Sequence, residues 1–225
     1  MGGAVHRGRI ACHDRGMEYE TIASRVDTEI EISRSRFLTR LERVETEDAA
    51  REVIAAVRTE HPRARHHCSA FVIGPDGRIQ RSNDDGEPSG TAGAPMLDAL
   101  VSAGLSDTVA VVTRYFGGVL LGAGGLTRAY RSAVAGAVLE AKRVTCGLRR
   151  EVDVQSSYET AAHIEAEARR RGYVVGEAEY TDTVVQRFLV AEEEVDPLRA
   201  LAAELSAGGA DVQLGSAAYV DLSSR

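Results

Sequence analysis

Two stretches of this 225-residue chain gather residue types that can do chemistry. In Asn83-Asp84-Asp85-Gly86-Glu87-Pro88 three carboxylates sit on a run with no hydrophobic pattern, and His66 and His67 open the apolar segment before it. Asp84, Asp85, Glu87 and a histidine could hold a hard divalent cation, although the alternating ligand order of a calcium loop is missing. Acids beside Gly and Pro serve more often as turn formers and helix caps. The second stretch, from Val111 to Tyr130, reads VVTRYFGGVLLGAGGLTRAY. Glycines allow positive φ and close backbone approach, and amides at a helix N-terminus lack intrahelical acceptors. Gly122, Gly124 and Gly125 could therefore present donors to an anion flanked by Arg114 and Arg128. The plainer alternative gives the glycines a tight turn and places Arg114 in a structural ion pair.

Several familiar chemistries are excluded. Gly117 to Gly122 has the outer spacing of a phosphate loop, but Ala123 and Gly124 stand where Lys and Ser or Thr are needed. The run also lacks the last glycine of a dinucleotide fingerprint. Cys12, Cys68 and Cys146 are odd in number and match no zinc spacing. Cys68 follows two histidines, but neighbours along a strand point to opposite faces, which leaves it as a small core residue. No cofactor is implied.

The elements that must position these residues follow from periodicity. Val109, Val111 and Val112 end a buried strand, the chain breaks at Gly117-Gly118, and a helix runs from about Gly125 with Leu126, Ala129, Tyr130, Ala133, Val134 and Ala137 on one face. Thr46 caps a helix reaching about His61, and Cys68 to Ile73 is a strand whose hairpin partner, Arg78 to Arg81, follows Pro75-Asp76-Gly77. Pro95 suits the first position of a helix that Gly104 closes. From Leu148 the order changes to βαββαβ, a ferredoxin-like arrangement, with Ser156 and Glu159 as a capping box and Asp196-Pro197 opening the second helix. The division is a flexible extension over 1–16 with Met17 as the possible start, a first domain over 17–147, and a second over 148–225.

Charge separates the two domains. Residues 1–147 carry 19 Lys+Arg and 19 Asp+Glu, whereas 148–225 carry 8 and 15, so the whole formal charge of -7 lies in the second. A phosphate-binding surface belongs to the first domain, and the acidic second one, which also lacks the exposed aromatics of an RNA-binding sheet, suits a protein partner. No run of 18 apolar residues and no signal-peptide pattern routes the chain to a membrane, so a cytoplasmic location is expected.

The signature RYFGGVLLGAGGLTRAY resembles the shared core of the YigZ and IMPACT family, joined by SRSRFL from Ser33, HPRARHHCSAFVIG from His61 and NDDGEPSGTAGAPML from Asn83. The resemblance implies an α+β protein of two domains. The first is like the second domain of ribosomal protein S-five, a mixed sheet with helices, and the second is ferredoxin-like. It marks His66, His67, Asp84, Asp85, Gly86, Glu87, Arg114, Tyr115, Gly117, Gly118, Gly122, Gly124, Gly125 and Arg128 as shared positions, and it implies a link to control of translation. On this basis the first expectation is a non-enzymatic regulator that binds RNA, the ribosome or a translation partner. Arg114 and Arg128 would contact phosphate and Tyr115 would offer a stacking face. The alternative is a metal-dependent hydrolase or small-anion-binding enzyme built on the acidic loop and the glycine loop. A third reading makes the polar positions a network that holds sheet to helix.

Overall fold

The computed structural model describes residues 18–222, and the expected extension over 1–16 with its start at Met17 lies outside them. The described chain divides into two compact units, Glu18–Gly147 together with 218–222, and Leu148–Ala217.

In the first unit five strands form a sheet in the order β2-β3-β6-β4-β5. These are β2 (Val26–Ile32), β3 (Ser35–Arg43), β4 (His66–Ile73), β5 (Ile79–Asn83) and β6 (Thr108–Tyr115). All four ladders are antiparallel, which corrects the mixed sheet expected from the resemblance while leaving the α+β class in place. Strand β6 is central because Val109 to Val112 is a continuous apolar run, and all four residues are fully buried between two helical layers. On one face, Phe37, Leu41, Cys68, Ala70 and Val112 pack against α2 (Gly93–Ser102) and α3 (Gly122–Glu140), through Met96, Leu100, Tyr130 and Val134. On the other, Phe71, Val109 and Val111 meet Ala50 and Val57 of α1 (Glu47–Glu60), whose Thr46 cap accepts from the Ala49 amide at 3.1 Å. A short β1 (Tyr19–Ile22) pairs with the first residues of β7 (Arg143–Ser156).

Two helix starts differ from expectation. Helix α3 begins at Gly122, one turn before Gly125, because four residues with no side chain larger than a methyl show no apolar face from which periodicity could be read. Helix α2 begins at Gly93, so Pro95 is its third residue, still within the first turn whose amides need no intrahelical acceptor.

The second unit adds α4 (Tyr158–Arg170), β8 (Val174–Tyr180), β9 (Val184–Val190), a 3₁₀ turn at Glu192–Glu194, α5 (Val195–Leu205) and β10 (Asp211–Leu222). Its strand order is β10-β7-β9-β8, with Val152, Val154, Phe188 and Val190 against Ile164, Leu198 and Leu201. This is the ferredoxin-like βαββαβ unit. The cap of α4 is Ser157, whose Oγ accepts from the Thr160 amide at 3.3 Å, because Ser156 is still in the ladder opposite Val184.

The glycine loop is seated on the β2–β3 hairpin, whose two turn residues, Ser33 and Arg34, both have positive φ. The Gly117 backbone lies so close that a Cβ there would stand 1.9 Å from the Arg34 carbonyl oxygen. Backbone cannot yield as a flexible side chain does, so Gly117→Ala is expected to destabilise the protein by about 3 kcal/mol, the upper end for overpacking. Denaturant unfolding checks this, with Gly118→Ala, where the space is open and only the positive φ resists, expected to do less harm.

Candidate functional site

Arg114 is the seventh of the eight residues of β6 and shares the face of Ala110 and Val112, so its side chain turns inward to α3 rather than out to solvent. It is 7% exposed. Its Nη1 donates to Glu87 Oε1 at 2.8 Å, its Nη2 to Ser35 Oγ at 3.3 Å, and the same Glu87 oxygen accepts from the Tyr130 hydroxyl at 2.8 Å. The guanidinium lies between two rings, 5.6 Å from the Phe37 centroid and 5.5 Å from that of Phe116. Arg114 is therefore a buried structural cation, which corrects its expected role as a phosphate contact. Burial, followed by the neighbouring Cys68 and Glu87, pushes the Tyr130 hydroxyl far above its ordinary range and keeps it a donor.

The acidic loop does not converge on one point. Asp84 turns to the start of α2, where one carboxylate oxygen accepts from the Ala92 and Gly93 amides at 2.9 and 2.8 Å and the other from Gly90 at 2.8 Å. Partial burial works to raise this carboxyl, but the three amides outweigh it and hold it below the usual range. It is the helix cap that Ala92 cannot supply. Asp85, at positive φ, accepts from the His67 amide at 2.6 Å and pairs with Arg58, while its own carbonyl accepts from His66 Nδ1 at 2.9 Å. Glu87 is committed to Arg114. Among the described residues no group of three or more His, Cys, Asp or Glu is placed to hold a metal ion. Cys68 donates to the Asp84 carbonyl at 3.0 Å, and burial raises its thiol to about 12, so it is no nucleophile.

Tyr115 is half-buried, with His61 Nδ1 3.1 Å from its hydroxyl and the Arg36 guanidinium over its ring at 5.8 Å. Its face is taken. The more exposed aromatic is the next residue, Phe116, which is 55% exposed with Arg114 on one side of its ring, followed by Val119 at 40% and Leu120 at 87%. Phe116 escapes a reading by residue type, and so does Arg34. The signal for both is position: an aromatic directly after a buried strand and before two glycines, and a cation at a two-residue hairpin tip.

The open part of the site is the loop 116–121 and the first turn of α3. That helix has no side-chain cap, and Gly122, Ala123 and Gly124 are exposed, with Gly122 at φ +67. Gly125 is tighter, its missing Cβ 3.0 Å from that of Leu121. Arg128 reaches back along the helix until its Nη1 is 3.6 Å from where a Gly124 Cβ would be. Arg34 and Arg128 are exposed and make no ion pair among the described residues. Thus Gly122, Gly124 and Arg128 are brought together, whereas Arg114, Glu87, Asp84, Asp85, His66 and His67 lie in the scaffold beneath and behind them.

The two units define a class of protein. Residues 33–138 match the Impact N-terminal domain, and residues 154–208 match a domain of unknown function, DUF1949. The chain belongs to the IMPACT family. It is 41% identical over 203 residues to the IMPACT family member YvyE of Bacillus subtilis (strain 168), covering 90% of this chain and 94% of the relative. It is 39% identical over 180 residues to the IMPACT family member YigZ of Escherichia coli (strain K12), covering 79% and 88%. A solved structure described as a hypothetical protein is similar at 36% identity and a TM-score of 0.61, over 88% of this chain and 96% of that one.

His67 gives the scaffold a pH dependence. It is buried with Nδ1 3.1 Å from Thr113 Oγ1, and desolvation, helped by Arg58, lowers its pKa. A lowered folded-state value means the unfolded chain binds the proton more tightly, so stability falls as pH drops below about 6.5. Denaturant midpoints at pH 7 and pH 5.5 are expected to differ more for wild type than for His67→Asn, which keeps a side chain for Thr113 and cannot titrate.

Proposed function

We propose that the chain is a non-enzymatic regulator of translation that binds RNA, free or on the ribosome, through the glycine loop of its first unit. The observation that carries this is the exposed first turn of α3, which no side chain caps and beside which Arg128 reaches, together with the exposed Phe116 and with Arg34 beside the start of the same loop, where the Arg34 backbone lies against Gly117. Neither arginine makes an ion pair among the described residues. A helix N-terminus attracts phosphate oxygens by its free amides and its dipole. Two exposed guanidinium groups add contacts that position a backbone without reading sequence, and an exposed ring takes the face of a base. The roles expected of Arg114 and Tyr115 pass to Arg34 and Phe116. The family resemblance supports the link to translation, and a cytoplasmic setting goes with it. No helix of the described residues is long and apolar enough to cross a membrane.

The hydrolase alternative has no observation in its favour, since Asp84, Asp85 and Glu87 face three different partners. Filter binding of total RNA and co-sedimentation with ribosomal subunits at low and moderate salt test the proposal. Binding is expected to weaken with salt, as displaced counterions require. It should fall by at least about tenfold in an Arg34→Ala, Arg128→Ala variant, and by roughly 1–3 kcal/mol in Phe116→Ala, the range for a lost base stack. Arg34 and Arg128 are exposed, and their double variant should leave the melting temperature unchanged; Phe116→Ala also removes a ring from beside the Arg114 guanidinium, so its binding is read below its own melting temperature. Salt-insensitive binding, or full binding by the double variant, would contradict it.

A further inference from the structure

The second unit has a different kind of surface. Over 148–217 it holds 7 Lys+Arg and 14 Asp+Glu, a net charge of -7, and its sheet has two edges that differ in chemistry. Edge strand β8 carries Glu177 and Glu179, and its ladder with β9 shifts register between Val175 and Ala178. Charges and bulges are the means by which an edge strand refuses a further strand.

Strand β10, the opposite edge, has none of these protections in its sequence. From Val212 to Ala217 it carries no charge and no proline, and Gln213 to Ala217 are all exposed, Leu214 by 46%. Among the described residues its ladder partner is β7 alone. Among the described residues, the one backbone oxygen of 211–217 bound by a side chain is that of Gly215, from Arg150 at 3.2 Å. Val212 packs on the helix-side core, so Leu214 and Ser216 project on that same face, and Gly215 faces Glu151 on β7. Glu151 makes no ion pair among the described residues, and Asp211 stands at the start of the strand.

We propose that β10 is a docking edge to which an extended, basic peptide segment of a partner protein adds as a further strand. Main-chain hydrogen bonds to the open edge would supply affinity, Leu214 a contact for alternate side chains, and the acidic unit the preference for lysine and arginine. Charge decides the occupant. Two copies of a unit at -7 repel each other, whereas a basic segment is drawn to it. The proposal does not rest on the RNA-binding surface, which lies in the other unit.

The test uses the full chain and a fluorescent peptide of about nine residues, with a valine and threonine core flanked by lysines, against one flanked by glutamates. Anisotropy is expected to show salt-sensitive binding of the lysine peptide only, and hydrogen exchange should slow at 212–217 and not in β8. Leu214→Lys should weaken binding by at least about tenfold, while Tyr180→Lys, the same exposed apolar-to-lysine change on β8, leaves it intact. Protection in β8, no protection anywhere, equal binding of both peptides, or equal loss in both variants would overturn the proposal. So would concentration-dependent protection of 212–217 without peptide, which would make a second copy of the chain the occupant. The exchange map needs only wild type, so the result does not depend on either variant folding.

Discussion

The first unit depends on one buried ion pair. A guanidinium removed from water is tolerated only with a partner, and Arg114 finds Glu87 at 2.8 Å and Ser35 at 3.3 Å, while its buried Nε has no hydrogen-bond partner among the described residues. Glu87 in turn accepts from Tyr130. The three groups come from the end of β6, the loop leading to α2 and the third turn of α3, so one carboxylate joins a strand, a loop and a helix far apart in the chain. Ser35 extends the connection to β3, and its Oγ also accepts from the Gly117 amide at 3.2 Å. The loop that departs from β6 is therefore held at its first glycine by the same network that holds the helix after it.

That constraint sorts the polar residues of the signature into two groups. Glu87, Arg114, Asp84, Asp85 and His67 turn polar atoms on one another, on Ser35, Arg58, Thr113 and Tyr130, or on backbone amides, where they fix loops that have little apolar surface to bury. Gly118, Gly122, Gly124 and Arg128, together with Arg34 and Phe116, form the outward part. The first turn of α3 is exposed and its glycines carry no bulk, and the buried network lies under the loop before it, which is the preorganisation that the proposed RNA-binding role requires. Catalysis would call for converging groups, whereas the acids here diverge to separate structural partners.

Much of the fold was legible in the sequence because it follows from periodicity. The apolar face from Leu126 onward defines α3, Thr46 caps α1, and the strand and helix order after Leu148 specifies the ferredoxin-like unit. The first turn of α3 was hidden because glycine carries no side chain with which to mark a face, and Ser156 and Ser157 are chemically equal candidates for one cap. The site was less legible than the fold. Arg114 falls two residues after Val112 on an inward face, but its place near the strand end reads equally well as exit to solvent. Asp84 meets amides eight and nine residues ahead, a distance no local pattern reports. Phe116 follows a buried strand directly, and nothing in its residue type reports that it is 55% exposed.

A double-mutant cycle on Arg114 and Glu87, read by denaturant unfolding, tests the central claim most directly. Arg114→Met and Glu87→Gln are each expected to cost about 3–5 kcal/mol by stranding a buried partner. The double variant should then be more stable than the sum of the two losses allows, by on the order of 2 kcal/mol. Small, additive effects within about 0.5 kcal/mol of each other's sum would mean that Arg114 is not held in the scaffold. The division between inner support and outer binding surface would then be wrong.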